Sequence, residues 1–267
     1  MGERNNKEEE VQVRNIPIAI QMYTLRNECE EDFRGTLRKV ADLGFQGVEL
    51  AGYGGIPVAE LKELLDELNL RVAACHVPLV DLESDLSQVI QDQVVLGSKF
   101  LVCPYLLPDK RTEADYQSLI AFLNMAGAEC RKAGISLCYH NHDFELDTLR
   151  DGRTALATIM EDTDPTLVFA EPDVYWLSKR DYDPAKWIDT YKDRMKLIHL
   201  KDMTTDEEQF FAEVGTGSID FQAILEKGED ADIQWWIIEQ DATRRTPLES
   251  IEISLRNLKE MLTDRKI

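Results

Sequence analysis

The sequence predicts an α/β chain folded as a single (β/α)8 TIM barrel, on three observations. Short apolar runs alternate with amphipathic stretches over about 250 residues, and about eight such units make a barrel. No Gly-x-Gly-x-x-Gly follows the first run, which counts against a dinucleotide-binding doubly wound sheet. Ionisable residues gather at the C-terminal ends of the apolar runs, where barrels build their sites.

Residues 1–15 are polar and charged, lack the apolar stretch of a signal peptide, and are expected to form a flexible extension. No change of composition marks a second domain, so the barrel domain is placed at 16–267. Residues 16–23 read as the first strand, and 33–43 as a helix with Gly44 as its C-cap. Residues 46–50 are the second strand, followed by a loop with Gly52, Gly54 and Gly55. The helix over 58–68 sets Leu61, Leu64, Leu65 and Leu68 on one face. Strand three is expected at 70–76 with a helix at 86–96, and strand four at 100–103 with a long helix at 113–133. The fifth strand, 134–138, runs into Tyr139-His140-Asn141-His142-Asp143-Phe144-Glu145. A helix at 153–160, strand six at 166–170, a helix near 185–191 and strand seven at 196–200 come next. Residues 219–226, strand eight at 234–239 and a helix at 248–262 close the chain. Trp235-Trp236 marks either an exposed interface, which would make the chain a homo-oligomer, or a packed strand.

Hydrophobic residues make up 43% and charged residues 30%, which fits a globular core. No apolar run approaches the roughly 18 residues that span a bilayer, so no membrane partner and a cytoplasmic location are expected. A formal charge of −21 would repel a phosphate backbone, and no basic cluster offsets it, so nucleic acid is not an expected partner. The five cysteines are odd in number and contain no Cys-x-x-Cys, which reads as reduced, mostly buried thiols.

The chain has four histidines, and His76, His140, His142 and His199 all fall at predicted strand ends. Glu49, Glu171, Asp173, Lys201, Asp202, Glu239 and Asp241 fall at the same ends. His140 and His142 alternate, so a strand would put them on one face. Imidazole and carboxylate without thiolate suit one divalent ion: manganese, cobalt, magnesium, iron or zinc. Such an ion acidifies carbon between two sugar oxygens, and a neighbouring carboxylate or histidine can carry the proton. Other readings stand beside this one. Lys201 could pair with Asp202 or Asp241, and Glu49 with a neighbour on the rim. Glu171 or Asp173 could cap a helix. Trp176 and Tyr23 could be core or a sugar platform. Gly215-Thr216-Gly217 is either a plain turn or a phosphate cradle.

At these residues the chain resembles the sugar phosphate isomerase/epimerase family, the xylose-isomerase-like TIM barrels. The segments that carry the resemblance begin with 21–26, 47–54, His76-Val77-Pro78 and 139–145. They continue with Asp173 to Trp176, His199 to Asp202, 214–217 and Glu239 to Asp241, in order along the chain. The resemblance implies a metal set of a strand-five carboxylate with Asp173, His199 and Glu239. Here His140 stands at the carboxylate's position, so either His140 is the ligand or Glu145 supplies one. It further implies that Glu239 with His142 or Glu145 moves the proton, while Glu49, His76, Trp176 and Lys201 bind substrate. A metal-dependent isomerase or epimerase of a sugar, keto-sugar or sugar phosphate is the leading expectation. A dehydratase or lyase on a keto-inositol or 3-keto-sugar is the second. A non-catalytic sugar-binding barrel is a third, and a DNA-repair nuclease is disfavoured by the charge and the few histidines.

Overall fold

Each predicted apolar run forms a strand whose side chains are almost all buried, as parallel strands covered on both faces require. The structure, a computed structural model, describes residues 15–265; the expected extension at 1–15 therefore lies, but for Asn15, outside the described residues. The strands are β1 (Ile18–Gln21), β2 (Gly47–Leu50), β3 (Arg71–His76), β4 (Phe100–Cys103) and β5 (Ser136–His140). β6 (Val168–Glu171), β7 (Leu197–Leu200) and β8 (Trp235–Ile238) complete the set. They pair in parallel in the order β6-β5-β4-β3-β2-β1-β8-β7. Bridges Ala170–Met195 and Asp173–His199 join β6 to β7 and bring the ring to near closure. The expected (β/α)8 barrel is the observed fold.

Two apolar layers hold it. Inside the ring, Ala19, Ala73, Ala74 and Cys138 leave room for Phe100, Trp235 and Ile237, the small-against-large filling that closes a barrel core. Outside, the strands' other faces meet the helices, for example Leu61, Leu64 and Leu65 of α2 (Val58–Glu67). Trp235 and Trp236 are both buried, so the exposed-interface reading of that pair is corrected to a packed strand. Cys75, Cys103, Cys130 and Cys138 are buried free thiols, and Cys29 is half-buried.

Two helices begin earlier than expected, for one reason. α1 (Arg26–Leu43) and α3 (Leu79–Leu96) each contain a kink, at Asp32 and Asp85, where the backbone leaves helical values. Each aspartate accepts from the amide three residues on, Gly35 and Gln88, at 2.9 and 3.0 Å, as an N-cap does. The segments expected from residues 33 and 86 are thus the parts after an internal cap; the lead-in turns are extra. After β2, Gly54 has φ +60°, and an added Cβ would lie 2.3 Å from Phe33, so only glycine fits there. α4 (Glu113–Lys132), α5 (Ala155–Asp162), α7 (Pro184–Tyr191), α8 (Phe221–Asp230) and α9 (Pro247–Asp264) fall near their expected places. One short helix was not anticipated: α6 (Val174–Lys179), directly after β6.

Candidate metal centre at the barrel mouth

Parallel strands place all their C-terminal ends at one mouth, and register decides which of those ends touch. Gln21 lies beside Glu49, and His140 beside Glu171, as paired residues of adjacent strands. Glu49 Oε2 accepts from Gln21 Nε2 at 2.8 Å and lies 2.5 Å from His199 Nε2. The other His199 nitrogen, Nδ1, lies 3.0 Å from Glu239 Oε2. His76 Nε2 sits 2.7 Å from Glu171 Oε2 and 3.2 Å from Glu49 Oε2. The His140 and His199 ring centres are 4.4 Å apart.

Lys201 is fully buried, and its Nζ lies 2.8 Å from Asp173 Oδ2, 2.8 Å from Glu239 Oε2 and 2.6 Å from Asp241 Oδ2. Asp241 is thus its partner, and Asp202 is not. Asp202 instead accepts from the amides of Met203, Gly215, Gly217 and Ile219 at 2.7 to 3.2 Å. Those glycine amides are spent on a carboxylate, which corrects the phosphate-cradle alternative to a turn. Asp173 caps α6: its Oδ1 accepts from the amides of Tyr175 and Trp176 at 2.9 and 3.1 Å, which leaves Oδ2 turned to the site.

The charges of the centre are set by burial and by these contacts. Burial works against a charged His199, but Glu171 and Glu49 overcome it and lift the imidazolium to about 10. Burial likewise opposes Lys201, and Asp173, Asp241 and Glu239 outweigh it and keep the ammonium charged. Burial would also raise Glu239, yet Lys201 and His199 hold it well below the carboxylate range. Glu171 goes the other way: burial, then the Glu49 charge, push its carboxyl well above the usual carboxylate range. Burial also raises Asp173. His140 is depressed by burial and by His199, and His142 by burial and Lys201 to about 3, so both are neutral imidazoles at pH 7.

Two groups of donor atoms here lie within 4.8 Å of one another: His140, Asp173, His199 and Glu239, and, sharing two of these, His76, His140, Glu171 and His199. Buried His140 Nδ1, Glu171 Oε1 and Glu49 Oε1 accept or donate no hydrogen bond, and Asp173 Oδ2 has the Lys201 ammonium beside it. Unsatisfied buried acceptors on crowded carboxylates and an imidazole fit a divalent cation, which would take up both lone pairs and charge. The donor set is therefore compatible with the ion.

A cavity of about 940 Å³ opens above the centre, lined among others by His76, His140, His142, Glu239, Asp241 and Tyr105. Among the expected substrate-binding residues, His76 reaches this cavity, and the Trp176 ring lies 5.8 Å from that of His142. Glu49 and Lys201 are fully buried beneath. Tyr23, 45% exposed and on the cavity wall, is not a core residue. Glu145 is also fully buried: it accepts from Tyr139 Oη at 2.7 Å and from the His142 amide at 2.8 Å. It stands in neither donor group. Sequence reading missed Gln21 and Asn141, whose Oδ1 accepts from the Asp173 amide at 3.2 Å. Both stand in segments that carry the family resemblance, and each is a polar residue at the end of an apolar run, but neither was given a role.

Among known proteins, a family model described as xylose isomerase-like TIM barrel matches residues 37–261. An inosose dehydratase of Geobacillus kaustophilus (strain HTA426) is 26% identical over 249 residues, 77% of this chain and 79% of that protein. An inosose dehydratase of Lacticaseibacillus casei is 29% identical over 260 residues, 82% of this chain and 86% of that one. The crystal structure of a sugar phosphate isomerase/epimerase from Parabacteroides distasonis ATCC 8503 superimposes with a TM-score of 0.80 at 26% identity. That match covers 93% of this chain and 95% of the other.

Proposed function

The chain belongs to the xylose isomerase-like TIM barrel family, and from that premise we propose that it is a divalent-metal-dependent dehydratase of a keto-inositol or related keto-sugar. One observation carries the choice: β5 and the segment just after it deliver two imidazoles, His140 in the donor group and His142 on the cavity wall, where a two-glutamate epimerase would need a carboxylate. Inosose dehydratases among its relatives support the same direction.

His140, Asp173, His199 and Glu239 would hold the ion, which when bound polarises the substrate carbonyl and acidifies the adjacent C–H. His142 is the base. Its Nδ1 has no hydrogen-bond partner, its amide is fixed by Glu145, and its ring stands edge-on to Tyr105 at 5.1 Å. The imidazole takes the proton as the C–H bond breaks, and that electron pair forms the new C=C bond. The C–O bond at the next carbon then breaks, and the leaving oxygen takes the same proton from His142 to depart as water. One base on one face suffices for this elimination, whereas inversion of a carbon needs a second on the opposite face. Lys201 holds Asp173 and Glu239 in place from below, and His76 and Trp176 flank the substrate.

The test is incubation of manganese-loaded protein with a keto-inositol in deuterated buffer. Loss of the mass of one water, abolished in His142→Ala, is expected. Elemental analysis should give about one divalent ion per chain, lost in the His199→Ala/Glu239→Ala variant. Deuterium uptake without loss of water would instead establish the isomerase or epimerase reading, which the likeness to the Parabacteroides distasonis structure favours. Neither reaction across a panel of keto-sugars would leave a sugar-binding barrel.

A further inference from the structure

At the opposite, N-terminal end of the barrel lies a second cavity, of about 560 Å³. Its wall is made by the first residues of β3, β4, β5 and β8, namely Arg71, Phe100, Ser136 and Trp235. Lys62, Lys99 and Lys196 line it as well, so four cations face two carboxylates, Asp66 and Asp232. In a chain of net charge −21 this is a reversal of sign. Both acids are already engaged: Lys62 pairs with Asp66, and Lys196 Nζ lies 2.9 Å from Asp232 Oδ2. Arg71 and Lys99 are the surplus. Both are exposed, and no ion pair with a carboxylate is found for either among the described residues.

The Arg71 guanidinium lies 4.5 Å from the centre of the Trp235 ring. A guanidinium stacked on an indole has its plane fixed but its edge donors free, the arrangement that takes a carboxylate or phosphate two-pronged. We propose that this cup binds a small organic dianion, a phosphate ester or a dicarboxylate, between Arg71 and Lys99. Its volume falls within the about 300–1,000 Å³ usual for small-molecule pockets. The site is separated from the donor centre by the length of the barrel and requires nothing of the chemistry proposed there.

Titration calorimetry of the full chain at low ionic strength, with inorganic phosphate and with succinate as probes, tests it. Saturable one-to-one binding is expected, at least tenfold weaker in Arg71→Gln/Lys99→Gln. Lys99→Gln alone, at an exposed position that cannot compromise folding, should weaken it severalfold. Binding of phosphate alone identifies the ester class and of succinate alone the dicarboxylate class. Absence of saturable binding by both probes, or equal affinity in the variants, would overturn the assignment.

Discussion

Glu145 shows how one residue can couple the mouth to pH. Burial raises its carboxyl from the usual 4.5 to about 7, against the opposing hydrogen bonds from Tyr139 and the His142 amide. An acid with a raised pKa in the fold binds its proton more tightly there than in the unfolded chain. Stability is therefore highest below about pH 4.5 from this group, and it falls as pH rises to about 7. The rise corresponds to about 3 kcal/mol across that window. Glu145→Gln, which cannot ionise, should flatten the fall, seen as urea midpoints that change less between the two ends. Parallel pH profiles for variant and wild type would rule out this role. Because Glu145 holds the amide of His142 and reaches neither donor group, it acts in the proposed reaction by positioning.

Among the elements, the loop from 213 to 219 depends on a single side chain. Asp202 Oδ2 receives Gly215 and Gly217, and Oδ1 receives Met203 and Ile219. An added Cβ at Gly217 would stand 2.1 Å from the Met203 carbonyl, so the loop lies against the backbone it is tied to. Asp202→Ala should cost about 3 kcal/mol or more, since it strips a charged acceptor from four amides. Asp202→Asn keeps one carbonyl oxygen and should cost about half as much. Chemical denaturation measures both, and equal losses would mean that the charge, not the bonds, matters. This anchor was invisible in the sequence because three of its four partners stand 13 to 17 residues away, and His199-Leu200-Lys201-Asp202 offers two adjacent ions of either role. What could be read was local. Apolar runs ending in Glu49, His76, His140, His199 and Glu239 named the strands and the mouth, because burial on both faces leaves little alternative pattern. The lead-in turns of α1 and α3 escaped because Asp32 and Asp85 signal a helix start whether or not helix precedes them. Glu171 was noted at the end of strand six, but as a rival of Asp173 and without a role of its own. Its place between His76 and His140 depends on the pairing of β5 with β6, which no local pattern encodes.

At the scale of the whole molecule, the fold gathers ionisable groups from six strands into one buried cluster, and folding must bear their mutual repulsion. A bound divalent ion would relieve that cost, and because it binds only the folded arrangement, it should stabilise the entire domain. At a manganese concentration about a hundredfold above the dissociation constant the gain is about 2.7 kcal/mol. For a domain of this size that is a rise in Tm of about 5–10 °C. A chain of charge −21 also gains from plain screening, so potassium chloride at matched ionic strength is the baseline. Two overlapping donor groups share His140 and His199, and they differ in Asp173 and Glu239 on one side and His76 and Glu171 on the other. The manganese-specific rise should disappear in Asp173→Ala and survive in Glu171→Gln. The converse, survival in Asp173→Ala and loss in Glu171→Gln, would put the ion on the His76 side of the mouth. There it would lie away from Lys201, and the elimination proposed above would lose its electrophile.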